Sequence, residues 1–211
     1  MAKAPNGPLG AAHGSLGNLT FYELNGQQVV RRKAEVNDDP SEAQLIVRSR
    51  MTTVMGFLKK LKPFIKTGFI NESKGTTRSY FNVATSHNLN SSVKMEEGLC
   101  VMNYEKAKLS SGTALQPDQA DAVLEENGLR FSWNTAQQMD WKTEMDQSMM
   151  MAFFPEEGEA IFETSGARRK VGFDTLALPP FLMDKTMELY LSFVSDDRLQ
   201  VSNSLYLGRL N

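Results

Sequence analysis

The spacing of apolar positions changes character along this chain, and each change predicts a different kind of element. Leu19-Thr20-Phe21-Tyr22-Glu23-Leu24 and Gln27-Gln28-Val29-Val30-Arg31-Arg32 flank Asn25-Gly26. Asn-Gly supplies the two positive φ angles of a type I′ turn, so the segment predicts a β-hairpin. From residue 41 the period lengthens. Val47, Met51, Val54, Leu58 and Leu61 recur at helical spacing and predict one buried face. Ser41-Glu42-Ala43-Gln44 reads as the capping box that starts this helix, with Ser41 as N-cap. Pro63 predicts the start of a second helix that ends near Gly68. A third is expected over Thr77 to Asn90, with Tyr80, Phe81, Ala84 and Leu89 inward.

From about residue 99 the texture becomes short apolar runs divided by turn residues. Strands are expected at 99–104, 129–133, 148–154, 160–164, 171–173, 176–178, 187–194 and 204–207. Gly128, Pro155, Gly158, Gly166, Pro179-Pro180 and Asp196-Asp197 separate the later ones. Such strands within roughly a hundred residues indicate a β-sandwich. Leu129, Phe131 and Trp133 alternate onto one face, and Leu189, Leu191 and Phe193 oppose Glu188, Tyr190 and Ser192. The expected fold class is therefore α+β. A β-hairpin and short helices precede an immunoglobulin- or fibronectin III-like antiparallel sandwich. Three regions follow: a Gly-rich arm at 1–18, a basic hairpin and helical region at 19–106, and an acidic sandwich at 107–211.

The arm is rich in Gly, Pro and Asn, cannot form a helix, and would be flexible by itself. Its own domain or a neighbouring subunit would hold it. Charge sharpens the division. Residues 1–80 hold 12 basic and 6 acidic side chains, a net of +6; the remaining 11 basic and 19 acidic give −8. Opposite poles suit head-to-tail packing of identical subunits, an acidic partner for the front half, or merely solvated surfaces.

Candidate chemistry is sparse. Cys100 is the single cysteine, so neither an intrachain disulfide nor a Cys-based zinc site can form, and its apolar strand is expected to bury the thiol. His13 and His87 are the two histidines, and His87 has no carboxylate close in sequence. Nucleophile elbows and phosphate-binding glycine loops are missing. Paired acids such as Asp196-Asp197 fall in expected turns. No cofactor and no catalytic role are expected. Apolar clusters such as 149–154 are too short to span a bilayer, so no membrane partner is expected, and the start lacks the apolar stretch of a signal peptide. Synthesis in the cytoplasm is the expectation. Candidate interaction residues remain: Arg31, Arg32, Lys33, Arg48, Lys59 and Lys62 as phosphate or acidic-partner contacts, and Trp141 in the polar stretch 134–147. Trp141 would be a contact residue or a lid folded back over the sandwich.

The order Asn6-Gly7, Leu9-Gly10, Gly14, Gly17-Asn18, Tyr22, Gly26, Val30-Arg31, Ala43-Gln44 and Arg48 resembles a family of short bacterial proteins known only as a domain of unknown function. The likeness continues through Leu61-Lys62-Pro63, Gly68-Phe69 and Asn88-Leu89 to Tyr190-Leu191, Ser202-Asn203-Ser204 and Tyr206-Leu207-Gly208. It spans essentially the whole chain and brings no activity. The front segment is also loosely similar to segments of phage-type structural proteins. The expected function is a non-enzymatic structural or interaction protein that self-associates or joins other assembly proteins, as in a virion or phage-like particle. The alternative is a nucleic-acid-associated protein that grips phosphates through its basic half.

Overall fold

The structure is a computed structural model that describes residues 11–24, 26–35, 39–135 and 139–211. It divides into two compact units, residues 1–44 and 45–211. Residues 1–10 of the arm and Asn25 of the expected turn lie outside the described residues.

In the first unit β1 (Gly14–Leu16), β2 (Leu19–Leu24) and β3 (Gln27–Arg32) make an antiparallel sheet in that order. Phe21 pairs Val30 and Leu24 pairs Gln27, the register that a two-residue hairpin loop imposes. Gly26 takes φ +78°. Part of the arm is thus a strand on its own hairpin, with Gly14 opposite Phe21 and Leu16 opposite Leu19. The Gln28 side-chain amide clamps this strand's start, donating to the Ala12 carbonyl at 2.8 Å and accepting from the Ala12 N–H at 3.1 Å. The register sets Leu16, Leu19, Phe21 and Val30 on one face. No described residue of the three strands is buried.

Helix α1 (Glu42–Lys60) begins at the expected box: the Gln44 N–H donates to Ser41 Oγ at 3.4 Å, and Gln44 Oε1 accepts from the Ser41 N–H at 3.2 Å. Its expected buried face holds only in the second half. Val54, Phe57 and Leu58 are buried, whereas Leu45, Ile46, Val47 and Met51 are exposed.

In the second unit α2 (Lys62–Ser73) and α3 (Tyr80–Ser91) follow, then a ribbon of β4 (Val93–Glu96) and β5 (Leu99–Met102). Helix α2 runs past Gly68. That glycine is instead a point of contact, because a Cβ there would strike the Leu109 carbonyl and Ser110. Ser79 caps α3 by accepting from the Asn82 N–H at 3.2 Å. Cys100 lies half-exposed in the ribbon, facing Met95, rather than buried, because two strands cannot cover their own faces.

Two sheets complete the unit. Strands β6 (Asp121–Glu125), β7 (Gly128–Ser132) and β10 (Phe173–Ala177) form one in the order β10-β7-β6. The other holds β8 (Gln147–Phe154), β9 (Glu159–Glu163), β11 (Met187–Val194) and β12 (Leu205–Leu210) in the order β12-β11-β8-β9. A four-residue helix α4 (Trp141–Glu144) precedes β8. The chain is mixed α+β, with every described sheet pairing antiparallel.

The four-stranded sheet is covered on both faces. Leu129, Phe131, Trp133, Met150, Ala152, Leu189, Leu191 and Phe193 fill the core between the sheets. Met149, Met151, Phe153 and Tyr190 point the other way and join Phe57, Leu58, Phe64 and Phe69 of the helices in a second core. Period-2 alternation on β11 therefore divides two cores and does not mark a wet face, as Glu188, Tyr190 and Ser192 are all fully buried. The same geometry overturns the expected boundary near residue 107. Ala107 and Leu109 sit in the helix-side core. The Ser111 N–H donates to the Gly68 carbonyl at 3.0 Å and the Leu109 N–H to Ser204 Oγ at 2.9 Å. Helices and sheets share buried surface, so residues 45–106 are no separate body.

Candidate functional site

Trp133 and Trp141 are treated oppositely by the fold. Trp133 is 6% exposed in the inter-sheet core, whereas Trp141 is 69% exposed. The lid expectation for Trp141 is therefore wrong. Asp140 caps α4, its carboxylate accepting from the Thr143 N–H at 3.0 Å, and this fixes Trp141 at the helix's first position with its ring outward.

Beside it opens a pocket of about 460 Å³. Its apolar wall is Trp141, Leu115 and Met145, and it is lined by exposed Asp140, Asp196 and Asp197 and by buried Asp146. The turn after β11 supplies the last two. There Ser195 Oγ donates to Asp197 Oδ1 at 2.6 Å, the Leu199 N–H donates to the same oxygen at 2.9 Å, and Ser195 N–H reaches the Gln200 carbonyl at 2.9 Å. The Ser195 hydroxyl and the Leu199 N–H hold Asp197 below the usual carboxylate range, as the Thr143 side chain and N–H do for Asp140. Both stay charged. Asp146 differs: burial pushes its carboxyl up, and the charge of Arg169, 3.5 Å away, offsets part of that.

Arg169 forms the floor's support. It is buried, donates to the Leu115 and Gln116 carbonyls, and lies 3.7 Å from the Phe193 ring centroid. Its Nε–H has no partner among the described residues. Lys142 stands 5.9 Å from the Trp141 centroid, at the outer reach of a cation–π contact.

A second groove of about 360 Å³ adjoins, sharing Thr113 and Gln200. Glu72 lies in it, 2.7 Å from His87 Nε2. Burial raises the Glu72 carboxyl, but hydrogen bonds from His87 and Ser111 outweigh this, aided by the charges of His87 and Lys108, and hold it low. His87 thus has a carboxylate partner, fifteen residues away, that local sequence does not reveal. Among the described residues no group of three or more His, Cys, Asp or Glu is placed to hold a metal. No described helix is long and apolar enough to cross a membrane.

The basic candidates are divided between the units. Arg31, Arg32 and Lys33 are exposed at and just beyond the end of β3; Arg31 lies 5.8 Å from the Tyr22 ring centroid. Arg48, Lys59 and Lys62 are exposed in the second unit, while nearby Arg50 is used internally, donating to the Leu89 carbonyl at 2.6 Å. The acidic pocket itself is assembled from stretches 113–115, 140–146 and 195–200. The paired acids were visible as turn residues, but nothing in their spacing brings the turns together.

A family model described as a family of unknown function (DUF6266) matches residues 11–208. Neither a curated protein nor a solved structure matches the chain.

Proposed function

Because the chain belongs to the family of unknown function DUF6266, which brings it no activity, we propose its role from its surfaces: a non-enzymatic interaction protein that self-associates through its N-terminal sheet. One observation carries this. The sheet presents Leu16, Leu19, Phe21 and Val30 on one face, and none of them is buried. A small sheet needs an apolar face covered to be stable, and contiguous exposed apolar residues mark interaction surfaces. The sandwich is read as immunoglobulin- or fibronectin III-like, a scaffold that recurs in cell-surface domains. Support comes from hairpins β6-β7 and β8-β9, with β10 returning to β7 and β11 to β8.

Light scattering of the full chain across concentration tests the reading. The expected result is association that Leu19→Ser with Val30→Ser weakens. Monomers at every concentration and at low salt overturn it. The second reading, phosphate binding, draws on Arg31 lying over Tyr22, a pairing of base and aromatic that suits single-stranded nucleic acid. Gel shifts that steepen at low salt and vanish with Arg31→Gln and Arg32→Gln would favour it.

A further inference from the structure

The pocket beside Trp141 has the composition of a receptor for a cationic side chain. Three of its carboxylates, Asp140, Asp196 and Asp197, face the single lining cation Lys142, because Asp146 is engaged by Arg169. Asp196 carries no hydrogen bond or ion pair among the described residues. The exposed indole adds what carboxylates alone lack: a flat, electron-rich face against which a guanidinium or ammonium group loses little by leaving water. Carboxylates around an aromatic wall select charge and an aliphatic stem together. Anionic ligands such as nucleic acid are repelled from it.

The same chain displays a matching group. Arg31-Arg32-Lys33 is exposed at and just beyond β3, and the ion pair that Arg32 makes to Glu35, at 3.7 Å, joins two largely exposed side chains. Such a pair is weak and readily exchanged. We propose that the Trp141 pocket is the seat for the Arg31-Arg32-Lys33 strand end of a second copy of this chain. The proposal rests on the self-association reading and names the surface that receives the sheet. Charge complementarity argues for a copy: the strand end of one chain carries three adjacent cations, and the pocket of another carries three carboxylates outside the Arg169 pair.

Calorimetry of the full chain with a synthetic peptide of residues 27–35, together with sedimentation of the chain alone, tests this. The peptide is expected to bind at low salt, and more weakly as ionic strength rises. Trp141→Ala and Asp196→Asn should each weaken it, and the pair by about tenfold or more. Both positions are exposed, so folding is preserved, and melting curves verify it. A peptide with its three basic residues replaced by Gln should not bind. Sedimentation should show the oligomer dissociating in the same pocket variants. Peptide binding equal in the wild type and the variants overturns the proposal. So does an oligomer untouched by the pocket substitutions, which leaves self-association standing. A chain that is monomeric throughout overturns the self-association reading, and with it a second copy as occupant.

Discussion

The indole N–H of Trp133 donates to the backbone carbonyl of Arg169 at 2.6 Å, and the two side chains meet the same ring: Trp133 packs edge-on against Phe193, at 5.1 Å, while the Arg169 guanidinium lies 3.7 Å from its centroid. The inter-sheet core and the pocket floor are thereby one construction. Trp133→Ala is expected to cost about 3–5 kcal/mol, the range for removing a large buried aromatic. Trp133→Phe keeps an aromatic ring but loses volume and the indole donor, leaving the Arg169 carbonyl only the Gly172 N–H at 3.2 Å, at about 1–3 kcal/mol. Urea unfolding measures both, and a near-neutral Trp133→Ala would contradict its place in the core.

Arg169→Met should be more damaging than its volume suggests. It leaves the buried Asp146 without its counter-charge, a change that costs about 3–5 kcal/mol in comparable pairs. Adding Asp146→Leu should restore part of the loss, since the uncompensated charge is gone. The Leu115 and Gln116 carbonyls still lack donors, so recovery stays incomplete. A double variant that melts no higher than Arg169→Met would refute the charge account.

Two helical glycines should respond with opposite signs to the same substitution. Gly56 is exposed on α1 with open space where a Cβ would go, so Gly56→Ala should stabilise by about 0.5–1 kcal/mol. Gly68→Ala forces a methyl into the Leu109 carbonyl and should destabilise by about 1–3 kcal/mol or more. Thermal melts of the pair, run together, discriminate contact from propensity.

Acid should weaken the fold, partly through Glu72. Its folded carboxyl is held low, so its contribution is full above the ordinary carboxylate range and is lost as pH falls through the folded value. Asp140 and Asp197 act in the same direction, whereas Asp146, raised by burial, acts against them. Replacing Glu72 by Gln isolates one contribution: the melting temperature of that variant should fall less between neutral and acid pH than that of the wild type. Parallel curves would rule the contribution out.

Much of the local structure was legible in residues. Asn25-Gly26 with its flanking alternation, the Ser41–Gln44 box, and strand β11 at 187–194 follow from rules that act over a few positions. The readings that failed depend on partners distant in sequence. The apolar stripe of α1 predicted burial for Val47 and Met51, but the helix outruns the core that covers it. The alternation on β11 set Tyr190 opposite Leu189, Leu191 and Phe193, but a mixed sequence gives no sign that helices will make that opposite side a second core. The expected strands at 171–173 and 176–178 are a single one, β10, entered through a tight helical turn at Arg169–Val171 that Gly172 closes with φ +86°. For the site, the sequence marked Trp141 and the acid pairs separately. Their convergence depends on stretches 113–115, 140–146 and 195–200 meeting around one pocket.

Met149, Met150 and Met151 are three neighbours on β8 that belong to two different interiors, the first and third beneath the helices and the second between the sheets. Neither interior can open without stripping a face of this strand, and β8 lies inside its sheet, hydrogen-bonded to β9 and β11. Its amide protons therefore have no private route to solvent. In deuterium oxide they should exchange last and together, at the rate set by unfolding of the whole body, while those of the β4-β5 ribbon exchange early through local fraying. The run of flexible thioethers is what lets one strand fit both surroundings at once: an unbranched side chain conforms to whichever packing its side of the sheet presents.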